Sequence, residues 1–298
     1  MRGRVTVSAA IGVASGTFCW FLLKHFHQNA ADFGWALYAA RRLLSGQNPY
    51  NTPLEQYPLT AALFAAPFVR LPPESAAAIF YGISSALLAF GLTRHGYERL
   101  LTFLAFPYWA ALITAQWSPL IAASAFFPLL LPVTLVKPQI GLPVLVTHAT
   151  RRGLLACAGL VVLSLILMPK WPLLWLFQMG QYQHYIALLV VPGPLLLLAL
   201  FRYKDRDALF LFLYAVMPQR WFYDSFVLWL IPKTRRSILA TVVCSWVVGV
   251  WRWYHMPVSM TQVGRWCVLG FYLPMLALVL LRGGHAATPW REPASDSR

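Results

Sequence analysis

The chain has very few acidic residues. Only 9 of its 298 residues are Asp or Glu, and charged residues of both signs make up 11% of the sequence. Hydrophobic residues make up 59%, and the mean hydropathy is +0.60. Because soluble domains carry roughly 25% charged residues, this composition excludes an ordinary soluble domain and indicates an integral membrane protein.

Cysteine is also scarce. The four cysteines each lie inside an apolar run, and none has the spacing of metal ligands: Cys19, Cys157, Cys244 and Cys267. The histidines are scattered, without an H-x-x-x-H or H-E-x-x-H pattern. This excludes a disulfide framework and argues against a zinc site.

The excess of charge is basic, with 24 Lys and Arg and a formal net charge of +15. In a soluble protein this would suggest a nucleic-acid partner. Here the basic residues form short clusters between apolar runs, as the positive-inside rule describes for cytoplasmic loops. We therefore expect a lipid bilayer as the surrounding phase and no nucleic-acid partner.

Long apolar runs dominate the chain. We predict membrane spans at 5–23, 74–93, 100–115, 118–136, 153–169, 186–201, 207–219, 222–232, 237–253 and 264–282, with a short extra helix at 140–150. With every basic cluster cytoplasmic, about ten spans place both termini inside. The predicted fold is a polytopic all-α domain over 1–282, with the first span as a retained signal anchor and a disordered cytoplasmic tail at 283–298.

The connection at 24–73 is unusually long, polar and aromatic for a link between two spans. The same topology makes it extracytoplasmic. A connection of this length is a common location for binding or catalytic residues. Arg41 and Arg42 break the positive-inside rule there, so we expect them to have a local role.

Three carboxylates fall on the predicted outer side: Asp32, Glu55 and Asp224. Asp32 is either the N-cap of a helix over 33–44 or a functional group, and position alone does not separate the two. Glu55 lies in a proline-rich stretch and is expected to be solvated. Asp224, near the outer end of a span, is a site candidate unless it pairs with Arg220 four residues earlier.

Lys137 lies inside an apolar stretch, in the sequence Lys137-Pro138-Gln139. A lysine there must snorkel to the surface, pair, or face a cavity. Snorkelling and contact with a phosphate group both remain open. Arg41 and Arg42 also suit phosphate, although two adjacent residues point in different directions, so only one can face a site.

Several short motifs share one order along the chain: Asp32, the stretch LSGQNPY at 44–50, Tyr57-Pro58-Leu59, Ala115-Gln116 and Lys137-Pro138. This order resembles the bacterial membrane glycosyltransferases of family 87, which use polyprenyl-phosphate mannose and belong to the GT-C superfamily. The family pattern reads Asp, Gly-x-x-Pro-Tyr and Tyr-Pro-Pro, then Gly-Gln and Lys-Pro. Here Leu59 replaces the second proline, and Ala115 replaces the glycine.

The resemblance implies a GT-C-like bundle with a large first extracytoplasmic loop and a sugar donor on a polyprenyl phosphate. It implies that Asp32 is the catalytic base, accepting the proton of an acceptor hydroxyl that attacks the anomeric carbon with inversion. The cations available to contact the donor phosphate are Arg41 or Arg42, together with Lys137 and Arg220. The residues expected to line the substrate are Tyr50, Tyr57, Gln116, Gln139 and Asp224. No metal or other cofactor is implied, since Arg and Lys can balance a monophosphate.

The function expected from the resemblance is transfer of a hexose, with mannose as the first candidate, to an extracytoplasmic glycan or lipid at the bacterial cell (inner) membrane. Two alternatives remain. One is a transporter of lipid-linked sugars or small molecules, which predicts charged residues distributed through the membrane midplane. The other is a non-catalytic GT-C-like partner subunit.

Overall fold

The structure is a computed structural model that describes residues 1–51, 57–179, 183–255 and 258–282. Most of the described chain is helical, and its only sheet among these residues has two short strands. Glu55 and the tail at 283–298 lie outside the described residues, so the predicted solvation of Glu55 and the predicted disorder of the tail stay predictions.

The α-helices are α1 Arg2–His25, α2 Phe33–Leu44, α3 Leu59–Ala65, α4 Pro73–Leu92, α5 Phe106–Ile113, α6 Ser118–Ser124, α7 Pro138–Thr147, α8 Arg151–Leu167, α9 Trp171–Met179, α10 Arg206–Val216, α11 Arg235–Tyr254, α12 Met260–Cys267 and α13 Leu273–Leu281. The 3-10 helices are Pro49–Asn51, Ala66–Phe68, Thr93–His95, Tyr97–Leu104, Pro128–Leu135, Ala187–Leu189, Gly193–Arg202 and Asp224–Leu230. A π-helical turn, Val268–Tyr272, joins α12 to α13.

The predicted all-α membrane character is confirmed, whereas ten spans are not. Four helices are long and apolar enough to cross a membrane: Arg2–His25, Pro73–His95, Arg235–Tyr254 and Met260–Leu281. A fifth is possible if α8 and α9, which meet at a bend of 97°, form one broken span. The remaining apolar runs are short α-helices or 3-10 helices.

Proline accounts for part of this difference. The predicted span at 118–136 ends as an α-helix at Ser124 and resumes as the 3-10 helix Pro128–Leu135, which contains Pro132. Proline lacks the N–H that an α-helix needs and clashes with the preceding turn. Apolar composition over 19 residues therefore does not produce one continuous helix here.

The longest helix–helix contact joins α1 to α4. The two helices run antiparallel, because Arg4 donates to the carbonyl of Phe90 while Lys24 pairs with Glu74 at the other end. The contact is built on glycine: a Cβ at Gly82 would lie 2.9 Å from the carbonyl oxygen of Gly12. Small residues that let two backbones approach closely are typical of helix contacts in membranes.

Two features fix the centre of the molecule. Phe33 stacks on Phe80 with ring centroids 4.2 Å apart, and Phe80 lies 4.6 Å from Trp117, which joins the starts of α2 and α6 to α4. A two-stranded antiparallel sheet, Tyr185–Ile186 with Pro218–Gln219, was not predicted. It holds the chain just before the helix that begins at Asp224.

Candidate active site

Asp32 precedes α2, which covers Phe33–Leu44 as predicted, but its side chain makes no capping hydrogen bond. The carboxylate instead accepts hydrogen bonds from Tyr57 and Gln116, both at its Oδ2 atom. Of the two roles left open by the sequence, capping is therefore not observed. The Asp32 carboxylate is used for tertiary contacts.

A turn before α6 brings Gln116 to Asp32. The backbone N–H of Asp32 donates to the carbonyl of Thr114 at 3.1 Å, and Ala115 then adopts a left-handed conformation with φ of 48°. Trp117 and Phe33, the residues that follow Gln116 and Asp32, are tilted against each other with centroids 5.7 Å apart. Backbone and core packing together thus place the Gln116 amide against the carboxylate.

Tyr57 supplies the second contact. Its hydroxyl donates to Oδ2 of Asp32 at 3.2 Å, and its carbonyl accepts a hydrogen bond from Tyr50 at 3.0 Å. Tyr50 is buried, and its own carbonyl accepts from Gln178 of α9. Tyr50 therefore supports Tyr57, which in turn contacts Asp32.

Lys137 points into the bundle. It is 2% exposed, and its Nζ donates to Oε1 of Gln116 at 3.0 Å and to Oδ1 of Asp224 at 2.7 Å. The ammonium also lies 5.0 Å from the centre of the Tyr223 ring. Snorkelling to the surface is thus excluded, and the lysine pairs inside the protein.

The ammonium settles the orientation of the Gln116 amide. Lysine can only donate, so the atom facing it must be Oε1, and Nε2 must face Asp32. Nε2 and the Tyr57 hydroxyl both use Oδ2, and Oδ1 of Asp32 accepts no hydrogen bond within the described part of the chain. Asp32 as a whole residue is half-buried, and its Oδ1 atom keeps lone pairs that no described group uses.

Asp224 is fully buried at the start of the 3-10 helix Asp224–Leu230. Its ion pair is with Lys137, and not with Arg220 as the sequence allowed. Tyr214 of α10 donates to the backbone carbonyl of Asp224, which fixes this turn against the bundle. Neither Tyr214 nor Tyr223 was predicted as a site residue, since no short-range pattern in the sequence identifies either.

Arg41 and Arg42 bind backbone carbonyls. Arg41 donates to the carbonyls of Val69 and Leu71 at 3.1 and 2.9 Å, which ties α2 to the entry of α4. Arg42 donates to the carbonyl of Asn48 at 3.1 Å. The structure does not bring either guanidinium to Asp32, and the local role expected for both residues includes holding this loop.

The remaining two predicted residues are Gln139 and Arg220. The carbonyl of Gln139 accepts a hydrogen bond from Gln219 at 3.1 Å. Arg220 follows Gln219 and is half-buried. Five of the ten predicted residues thus form one connected set, which we call the Asp32–Asp224 network: Asp32, Tyr57, Gln116, Lys137 and Asp224.

Within the residues that the structure describes, no group of three or more His, Cys, Asp or Glu side chains is placed to hold a metal ion. Comparisons with protein-family models, with curated proteins and with solved structures find no match to this chain. The geometry of the Asp32–Asp224 network and the motif resemblance are therefore the features from which a function can be inferred.

Proposed function

We propose that the chain is a membrane glycosyltransferase that moves a hexose, with mannose as the first candidate, from a polyprenyl-phosphate donor to an extracytoplasmic glycan or lipid. The observation that supports the proposal is the hydrogen bonding of the Asp32 carboxylate. Its carboxylate is turned away from its own helix, held on one oxygen by two donors and open on the other. That arrangement suits a general base, which needs a fixed position and an unoccupied lone pair.

In the proposed reaction, Oδ1 of Asp32 accepts the proton of the acceptor hydroxyl as its oxygen attacks the anomeric carbon. The bond from that carbon to the phosphate oxygen breaks, and the polyprenyl phosphate leaves with the electron pair. One displacement with one base inverts the anomeric centre. Tyr57 and Gln116 keep the carboxylate in place, and neither needs to gain or lose a proton.

A leaving phosphate is stabilised by fixed positive charge. Lys137 is a cation that hydrogen bonds connect to Asp32, with the Gln116 amide as the one group between them. Its charge is partly balanced by Asp224, which also keeps the ammonium from turning towards Asp32. We assign Lys137 to the donor phosphate, with Asp224 holding it in position.

A second candidate is a transporter, since a buried Lys137–Asp224 pair inside an apolar bundle is also typical of ion and substrate pathways. That alternative predicts uptake of a labelled substrate by protein reconstituted in liposomes, without any covalent product. The partner-subunit alternative predicts that replacing Asp32 changes nothing in a complex. A transfer assay separates both from the enzyme.

The test measures sugar transfer by purified protein in detergent, with radiolabelled polyprenyl-phosphate mannose and a lipid extract as acceptor. Asp32→Asn removes the base and is expected to lower transfer by about 10²–10⁴-fold. The matched control is Asp205→Asn, because Asp205 caps α10 through an oxygen that asparagine also has. Equal transfer by wild type and Asp32→Asn would reject Asp32 as the base.

A further inference from the structure

A second concentration of charge surrounds Asp207, in the first turn of α10. Lys233 Nζ lies 2.6 Å from Oδ2 of Asp207, and Arg282 contacts the same oxygen. Arg282 also donates to the carbonyl of Ile231. One carboxylate oxygen is therefore shared between two cations.

Arg99 adds a third cation. Its guanidinium donates to the carbonyl of Leu230 at 3.4 Å. The next residue is Ile231, whose carbonyl accepts from Arg282. Arg99 is 4% exposed, and its Nε has no hydrogen-bond partner among the described residues. No carboxylate in the described part of the chain lies within ion-pair distance of it.

Arg206, next to Asp207 on α10, is the fourth cation of this group. It is half-buried, and its Nε also lacks a partner within the described residues. Four cations, namely Arg99, Arg206, Lys233 and Arg282, surround one carboxylate, which leaves three positive charges in excess. The exposed Glu98, beside Arg99, lowers the excess only to two.

The charge of Arg99 is costly in particular, because a buried charge without an ion-pair partner loses its hydration and gains little in return. The carbonyls of Leu230 and Ile231, at the end of the 3-10 helix Asp224–Leu230, offset part of this cost, since a helix C-terminus carries partial negative charge. They do not supply a full countercharge. Arg side chains with unused N–H groups are well suited to a phosphate group.

We propose that this group of residues, the Asp207 cluster, binds the phosphate of an anionic lipid headgroup. Basic pockets between membrane helices commonly recognise such headgroups. The site is separate from the Asp32–Asp224 network: Tyr214, which contacts Asp224, follows Asp207 by seven residues of α10, or about 10 Å of helix. The proposal does not depend on the glycosyltransferase activity.

The test is thermal unfolding of the purified chain in an uncharged detergent at fixed ionic strength. Phosphatidylglycerol, phosphatidylcholine and inorganic phosphate are added in separate arms. A ligand that binds only the folded state raises the unfolding midpoint. We expect phosphatidylglycerol to raise the midpoint by several degrees, as is typical for about 1–2 kcal/mol in a protein of this size, and phosphatidylcholine to leave it unchanged.

Three variants locate the effect. Arg99→Gln and Arg206→Gln are expected to lose most of the phosphatidylglycerol shift, and Arg236→Gln, an exposed arginine in the first turn of α11, is expected to keep it. Arg206 is half-exposed, so its replacement tests the site even if Arg99→Gln folds poorly. If inorganic phosphate gives the same variant-dependent shift, the ligand is a soluble phosphate group. No shift in either arm, or equal loss in all three variants, would overturn the site.

Discussion

The Nζ atom of Lys137 and the Oδ1 atom of Asp224 lie 2.7 Å apart, in side chains that are 3% and 0% exposed. The two residues are 87 positions apart in the chain. They join the start of α7 to the 3-10 helix Asp224–Leu230. The pair also orients Gln116, so the geometry of the Asp32 carboxylate depends on an ion pair that does not touch it.

Breaking this ion pair is expected to lower the free energy of unfolding more than breaking a surface ion pair. Lys137→Met leaves Asp224 buried and without a partner, which should destabilise the protein by about 3–5 kcal/mol. The double variant Lys137→Met, Asp224→Leu removes both charges and should recover most of that loss. Unfolding of the purified protein by denaturant in mixed micelles measures both quantities.

The control for this prediction is Lys24→Met. Lys24 lies 3.9 Å from Glu74, and its side chain is 54% exposed, so its loss should cost less than about 1 kcal/mol. An equal loss of stability in Lys24→Met and Lys137→Met would contradict the assignment. So would two single effects at Lys137 and Asp224 that simply add in the double variant.

The α1–α4 contact gives a second prediction. An added Cβ at Gly82 would lie 2.9 Å from the carbonyl oxygen of Gly12 and 3.4 Å from Cα of Gly16, and neither backbone atom can move without shifting a helix. Gly82→Ala should therefore destabilise the protein by about 1–3 kcal/mol. Gly159→Ala on α8 meets nothing within 4 Å and should leave the unfolding midpoint equal or higher. Equal effects of the two changes would mean that α1 and α4 are not in this contact.

The acid dependence of stability is expected to involve His148, in the connection between α7 and α8. Burial, with the nearby charge of Arg206, lowers the pKa of His148 from 6.5 to about 3, although Asp207 opposes the shift. Below pH 6.5 the unfolded chain binds a proton at this position and the folded chain does not, so stability falls as the pH falls. The loss between pH 7 and pH 5 should be about 2 kcal/mol.

His148→Gln tests this pH dependence, because glutamine has no titration in that range. The variant should show a flatter fall in unfolding midpoint from pH 7 to pH 5 than the wild type. His25→Gln is the control, since His25 is exposed at the end of α1. A wild-type slope that persists in His148→Gln would place the acid sensitivity elsewhere.

Local patterns predicted the local elements well. The helix after Asp32 has the predicted bounds, and the first two long helices fall within a few residues of the predicted spans. The ten predicted spans were not confirmed, because hydropathy measures composition, whereas proline and 3-10 geometry decide whether an apolar run is one helix. The motif resemblance predicted Asp32, Gln116 and Lys137 as residues of one site, but it could not predict the hydrogen bonds between them.

Ala115 shows why some of the site could not be predicted. Its φ of 48° lies in the left-handed region, where glycine is preferred, and the family pattern has glycine at this position. The sequence alone does not show that Ala115 adopts this left-handed conformation, and only the fold does. The Lys137–Asp224 pair was missed for a related reason: partners 87 residues apart leave no periodic signal in one sequence.

Gln116→Glu is the sharpest test of the Asp32–Asp224 network. Glutamate has nearly the same shape, but it replaces the Nε2 donor that faces Asp32 with an oxygen that can only accept when ionised. Two carboxylates would then face each other, while Lys137 would gain a second anionic partner. We expect sugar transfer to fall by about 10²-fold or more, since the base would be displaced or protonated. The unfolding midpoint should stay close to that of the wild type, because the loss of one contact is offset by the other.

Gln262→Glu makes the same change in the exposed capping box of α12, where a glutamate can make the same capping contacts. It should leave both sugar transfer and the unfolding midpoint unchanged. If Gln116→Glu keeps full transfer, the amide does not position Asp32 and the proposed base must be sought outside this network.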